Sequence, residues 1–115
     1  MKKTKRIEVW NKYNKHCAYC GCELTYEEFN VDHIQSKLHH EYYGLDNQDR
    51  MDNLNPSCRQ CNFYKSGGTI EQFRKNLSTL HERLNKLFIV RIAVKYGILE
   101  YKNHDDRFYF EKLEE

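Results

Sequence analysis

Two Cys-x-x-Cys pairs, Cys17–Cys20 and Cys58–Cys61, bracket the dipeptide Asp32-His33, and the second pair runs directly into Asn62. Cysteine pairs at this spacing are metal clips. Four thiolates in two clips hold one tetrahedral zinc, with Zn–S bonds of about 2.3 Å. Such a staple closes the 37 intervening residues into a loop. Asp, His and Asn beside it make a donor set for hydrolysis. A carboxylate and an amide oxygen suit a hard divalent ion, and a neutral imidazole takes up a proton near neutral pH. The order predicts a structural metal supporting a separate catalytic one.

The elements that must position these groups follow from periodicity and punctuation. Residues 5–15 form a short helix presenting Ile7, Trp10 and Tyr13 or Asn14. His16 to Cys22 is a turn, and Gly21 lets the chain fold back so that amides face the sulfurs. Cys22, the fifth cysteine, is expected to be a small buried thiol with no role. Phe29–Ile34 alternates apolar with polar and predicts a strand. Adjacent strand residues point to opposite faces. Asp32 and His33 therefore address one phosphate only if the strand ends or bulges there, or if they flank the scissile group. Residues 36–50, with Tyr42, Tyr43 and Gly44, read as a polar loop. Leu54–Ser57 is a short extended piece or tight turn. A helix over 59–66 is stopped by Ser66-Gly67-Gly68.

Thr69 caps a long helix, with Gln72 completing a capping box. Ile70, Phe73, Leu77, Leu80, Leu84 and Leu87 form its amphipathic stripe, which packs on the zinc unit or pairs with another subunit. A break is expected near Asn85–Ile89, then helix to Tyr96 with Gly97 as its C-cap. Phe108-Tyr109-Phe110 reads as a short terminal strand.

At 115 residues the chain is one small domain with a helical extension, and a metal staple compensates for its limited core. Mean hydropathy is −0.95, and no apolar run approaches the ~18 residues of a membrane span. Five cysteines are an odd number for a disulfide framework, and with no secretion signal seen the paired clips favour metal over disulfides and a cytoplasmic protein is expected. Net charge is only +2, but it is unevenly placed. Residues 1–16 hold six Lys/Arg against Glu8, residues 58–91 hold seven against two acids, and the last sixteen hold six acids against three bases. A basic front suits a polyanionic partner.

Taken together, Cys17-x-x-Cys20-Gly21, Val31-Asp32-His33-Ile34, Asn53-Leu54 and Cys58-x-x-Cys61-Asn62-x-x-Lys65-Ser66-Gly67 resemble the HNH endonuclease family. The likeness is to the branch whose ββα-metal core is held by a four-cysteine zinc, and it covers residues 17–67. The stretch ending in Phe108-Tyr109-Phe110-Glu111 resembles the tails of small phage-type HNH proteins. The resemblance implies an α+β fold, with a zinc-stapled ββα-metal core and a helical C-terminal extension. Residues 1–68 form the core with its basic N-terminal segment. Residues 69–115 form the extension, which ends in a short strand and packs on the core.

The family's roles then fall on single residues. Cys17, Cys20, Cys58 and Cys61 are the structural zinc ligands. Asp32 and Asn62 hold a catalytic divalent metal such as Mg2+ or Mn2+, His33 is the general base, Asn53 braces the loop that holds the base, and Lys65 meets phosphate. Where the family often has Pro after Asp-His and a Gly-Gly pair in the next loop, this chain has Gln35-Ser36 and only Gly44. His39-His40 has no family role. The function implied is metal-dependent hydrolysis of DNA phosphodiesters, cutting one strand and leaving a 5′-phosphate and a 3′-hydroxyl. The rival readings are a zinc-dependent nucleic-acid-binding module that does not cut, and a phage packaging accessory protein. DNA is the expected partner, alongside a homodimer or a larger phage assembly, and no membrane.

Overall fold

The computed structural model describes residues 1–35 and 49–114. Most of the expected loop, including His39, His40, Tyr42, Tyr43 and Gly44, lies outside the described residues. Helix α1 (Lys3–Asn11) opens the chain and buries Val9, with Trp10 and Tyr13 packed at the edge of the core. Ile7, expected to face inward, is exposed. Arg6 takes the inward position instead. Its guanidinium lies 4.0 Å over the Phe29 ring and donates to the carbonyls of Tyr26 at 2.8 Å and Phe29 at 3.0 Å.

Strands β1 (Asn30–His33) and β2 (Leu54–Ser57) pair antiparallel, with Asn30 opposite Ser57 and His33 opposite Leu54. Helix α2 (Arg59–Lys65) follows β2 after a single residue, Cys58, whose Sγ accepts the Cys61 amide at 3.4 Å. This is the expected ββα unit inside an α+β fold. The helix stops where Ser66 takes φ 54°, a left-handed conformation that breaks the helical run.

Past the stop, the Thr69–Gln72 capping box forms as expected. Thr69 Oγ1 accepts the Gln72 amide at 3.1 Å, and Gln72 Oε1 accepts the Thr69 amide at 2.8 Å. The long helix does not. It is split into α3 (Ile70–Ser78) and α4 (Leu80–Leu84) at Thr79. There the Thr79 hydroxyl donates to the Lys75 carbonyl at 3.2 Å, giving the backbone an alternative to helix continuation. A second break precedes α5 (Phe88–Lys95). Gly97, at φ 74°, ends α5 as expected: its amide donates to the Val94 carbonyl and the Ile98 amide to the Ala93 carbonyl.

The expected terminal strand at 108–110 is instead the start of a helix, α6 (Tyr109–Lys112). The Glu111 carboxylate accepts the Phe108 amide at 2.9 Å, which is how a helix start is capped. The Phe-Tyr-Phe alternation mimics a strand, but its period comes from burying Phe108 rather than from sheet pairing.

One buried cluster joins Val9, Cys17, Leu24, Phe29 and Leu54 to Phe73 and Phe108. Tyr19 stands at its centre, with ring centroids 5.3 Å from Phe73 and 5.4 Å from Phe108. Arg74 fastens α6 from α3 by a two-pronged pair with Glu111, 2.8 Å on each prong, and by donating to the Asp106 carbonyl. Among the described residues no helix is long and apolar enough to cross a membrane.

Candidate active site

The first clip sits in a turn closed by the Cys17 amide on the Cys22 carbonyl at 2.8 Å and by the Gly21 amide on the Cys17 carbonyl at 3.0 Å. Gly21 has φ 81°, and a Cβ there would lie 2.9 Å from the Tyr109 ring, so conformation and space both demand glycine. The Ala18 amide reaches the Pro56 carbonyl at 2.9 Å and ties the first clip to the strand that delivers the second. The sulfurs of Cys17, Cys20, Cys58 and Cys61 all lie within 4.8 Å of one another, and none is in a disulfide. Cys20 and Cys58 are 3.8 Å apart. Tetrahedral zinc with bonds of about 2.3 Å sets sulfurs roughly 3.8 Å apart, so the residues fit the ion. A hydrogen bond from Cys61 lowers the Cys17 thiol to about 4, and the same contact pushes Cys61 up. Cys22, expected to be buried, is exposed, because the turn uses its carbonyl and leaves its sulfur outside.

Asp32 leaves β1 toward α2 and is only 4% exposed. The Tyr19 hydroxyl donates to Oδ2. Lys65 Nζ lies 3.3 Å from Oδ1 and 3.2 Å from Oδ2. Burial raises the Asp32 pKa, while the Tyr19 hydrogen bond and the Lys65 charge pull it back. Lys65 also donates to the carbonyls of His33 at 3.2 Å and Ile34 at 3.4 Å, and its side chain is wholly buried. Its expected meeting with phosphate is therefore not the contact this geometry offers. From the last turn of α2 the chain runs inward and becomes the counter-ion of Asp32. Behind Tyr19, Asn55 Nδ2 donates to the phenol oxygen at 3.3 Å, and Lys12 donates to Asn55 Oδ1 at 3.2 Å. Sequence reasoning missed Tyr19 and Asn55. The only available hint was that Tyr19 falls inside a clip.

β1 ends at His33, and its register with β2 is unbroken, so the strand ends at the Asp-His pair without a bulge. The two side chains leave on opposite sides, as strand geometry requires. His33 Nε2 is 2.6 Å from Asp49 Oδ1, and the imidazole is 15% exposed. Asn53 is buried. Its carbonyl accepts the Ile34 amide at 2.8 Å, its Oδ1 accepts the Gln35 amide at 2.9 Å, and its Nδ2 donates to the Gln35 carbonyl at 3.2 Å. Three hydrogen bonds thus clamp the two residues after His33. Asp49 was missed as well, because no motif spacing marks it.

Asn62 is half-buried on α2 and lines an open groove with Asn30, Arg59 and Phe63. Glu23 and Glu28 line it too. Phe63 is 85% exposed. No hydrogen bond joins Asn62 to Asp32 among the described residues, and the four cysteines form the only cluster there of three or more His, Cys, Asp or Glu within reach of one ion. The basic front is smaller than composition implies. Arg6 is held by carbonyls and rings, and Lys12 donates to the carbonyls of Met51 at 2.9 Å and Leu54 at 2.7 Å.

Residues 17–68 match the model of the HNH endonuclease family. That segment contains both clips, Asp32, His33, Asn53, Asn62 and Lys65, so the HNH resemblance read from the motifs holds over it. A stretch of 81 residues is 28% identical to the CRISPR-associated endonuclease Cas9 of Corynebacterium diphtheriae. It covers 66% of this chain and 7% of that protein, so the chain spans a small fraction of that relative's length. No solved structure matches the chain significantly.

Proposed function

We propose, from the HNH match over residues 17–68, that the protein is a metal-dependent endonuclease hydrolysing DNA phosphodiester bonds. The observation that carries this reading is His33 at the end of β1, beside Asp32 and directly before the Asn53 clamp. Residues 1–68 form the nuclease core in this reading, and residues 69–115 an extension that keeps it closed. The four cysteines hold zinc as a folding staple. Asp32 and Asn62 offer hard oxygen donors suited to Mg2+ or Mn2+. When bound, that ion supplies positive charge for the oxyanion that develops at the phosphate.

His33 takes a proton from water on the ring nitrogen that does not face Asp49. The water oxygen bonds to phosphorus as the bond to the 3′ oxygen breaks, and the departing oxygen takes a proton from solvent, leaving a 5′-phosphate and a 3′-hydroxyl. The Asn53 clamp keeps the backbone after His33 from shifting during that transfer. Lys65 holds the Asp32 carboxylate and the end of β1 together. Arg59 meets the DNA backbone along the groove, and the exposed Phe63 ring stacks on a base.

One Asp-His pair and one Cys-Asn make one reactive centre, which engages one phosphate at a time. With supercoiled plasmid, low protein and Mg2+ or Mn2+, open circles should accumulate well before linear DNA. Linear product appearing directly would mean two coupled centres. A second reading, a zinc-dependent module that binds nucleic acid without cutting, is favoured by Lys65, which already neutralises Asp32. Plasmid that is bound but never nicked under any divalent ion would favour that reading instead.

A further inference from the structure

Helix α5 buries none of its eight residues. An isolated helix needs roughly 12–15 residues to hold its shape in water, and most helical stability comes from packing an apolar face. Phe88, Ile92 and the capping residue Tyr96 recur every four positions and so share one face, with Ile89 beside them. Leu87 before the helix and Ile98 after it are apolar too, and the six residues are between 36% and 81% exposed. We propose that this stripe is a self-association surface, which a second copy of the chain covers by pairing α5 against α5 about a two-fold axis.

Area is the first reason for a second copy. Covering these six side chains removes about 800 Å² from one copy, which is one side of a standard protein–protein interface. The largest apolar patch on an ordinary monomer runs to roughly 300–600 Å².

Symmetry is the second reason. A two-fold pair sets residue i opposite j and j opposite i. Counted from Ile92, an aromatic ring stands four residues to either side, Phe88 and Tyr96. An antiparallel pair centred on Ile92 therefore sets Phe88 of each copy opposite Tyr96 of the other, with Ile92 against Ile92 on the axis. The helix cations do not oppose this. Arg91 is turned back on its own chain, where it donates to the Asn85 carbonyl at 2.9 Å. Lys95 is exposed at the edge of the stripe, where its stem covers apolar surface while its ammonium stays in water.

Sedimentation equilibrium of the zinc-loaded full chain tests the pairing, and the mass does not depend on whether the chain cuts DNA. Wild type should show twice the 14.0 kDa chain mass, with a dissociation constant of about 10 μM or tighter, since interfaces of this size run from micromolar to picomolar. Ile92→Lys puts two ammonium groups face to face on the axis. It should raise that constant by about 100-fold while zinc stays at one per chain. Phe88→Glu and Tyr96→Lys should each weaken the dimer, and the two together in one chain should recover much of the affinity, because each new carboxylate then meets the new ammonium of the other copy. If Ile92→Lys does not fold, this series decides, and a double variant no tighter than its singles overturns the pairing. Wild type that stays at the chain mass up to about 100 μM overturns the proposal as well. So does a dimer that Ile92→Lys leaves intact, a mass that grows past two copies, or a monomer that instead binds anionic lipid vesicles.

Discussion

Asp32 has two duties that its surroundings make inseparable. It is the expected ligand of the catalytic ion, and it is the counter-charge of a lysine with no exposed side-chain surface. Removing one partner of a buried pair leaves the other charge stranded, which costs about 3–5 kcal/mol. Asp32→Ala should therefore lose much of its stability as well as its activity. Adding Lys65→Met should restore the melting temperature without restoring nicking. A single mutant as stable as wild type would show that Lys65 is not held by this carboxylate. His33 carries no such double load. His33→Ala should keep fold and DNA affinity while cleavage drops by ~10²–10⁴, the typical contribution of a general base. Retention of more than about half the activity would remove His33 from that role. The four-cysteine cluster was legible because metal ligands recur at short, fixed spacings. The inward turn of Lys65 was not. Whether a lysine points out or in depends on what stands across from it, here a carboxylate 33 residues earlier. Tyr19, Asn55 and Asp49 were hidden for the same reason.

At the scale of elements, what was visible in sequence is what local chemistry decides. The hairpin strands, the capping box and the Gly97 stop each depend on residues a few positions apart. The misreadings share the opposite cause. A leucine stripe continues through Thr79, so periodicity alone gives one helix where a side-chain hydroxyl makes two. Phe108-Tyr109-Phe110 alternates like a strand because Phe108 is pulled into the aromatic core. What holds α6 in place is also long-range: Arg74 keeps the Glu111 carboxyl below its ordinary 4.5. A carboxyl with a lowered folded value stabilises the fold above its unfolded value, and that contribution fades as pH falls through the lower one. The anchor should therefore hold at neutral pH and weaken below about pH 4.5. Arg74→Met should cost about 1–2 kcal/mol at neutral pH and flatten the acid limb of the stability curve. If melts of the mutant and the wild type fell in parallel as pH dropped, Glu111 would not be the titrating anchor.

The molecule as a whole is longer than its size requires. Its radius of gyration is 16.6 Å, against roughly 13 Å for a compact chain of this length. Helices α4 and α5 bury no residue. The compact part is a single cluster in which the clips, β2 and the C-terminal aromatics share neighbours. Zinc should therefore matter to more than the segment it closes. Cys58→Ser, or removal of zinc by a chelator, should unfold residues 17–67 and release α6 with them, because structural zinc binding is itself folding free energy. Circular dichroism showing native helix content in metal-free protein would contradict this. The same cluster has a consequence in time. Chains are made from the N-terminus, and Phe108 is added forty residues after residue 68, where the match to the HNH family ends. Until it emerges, the ring of Tyr19 lacks one of the aromatic rings packed on it. A chain stopped before Phe108 should therefore hold the Tyr19 ring, and the Asp32 carboxylate to which it donates, less firmly.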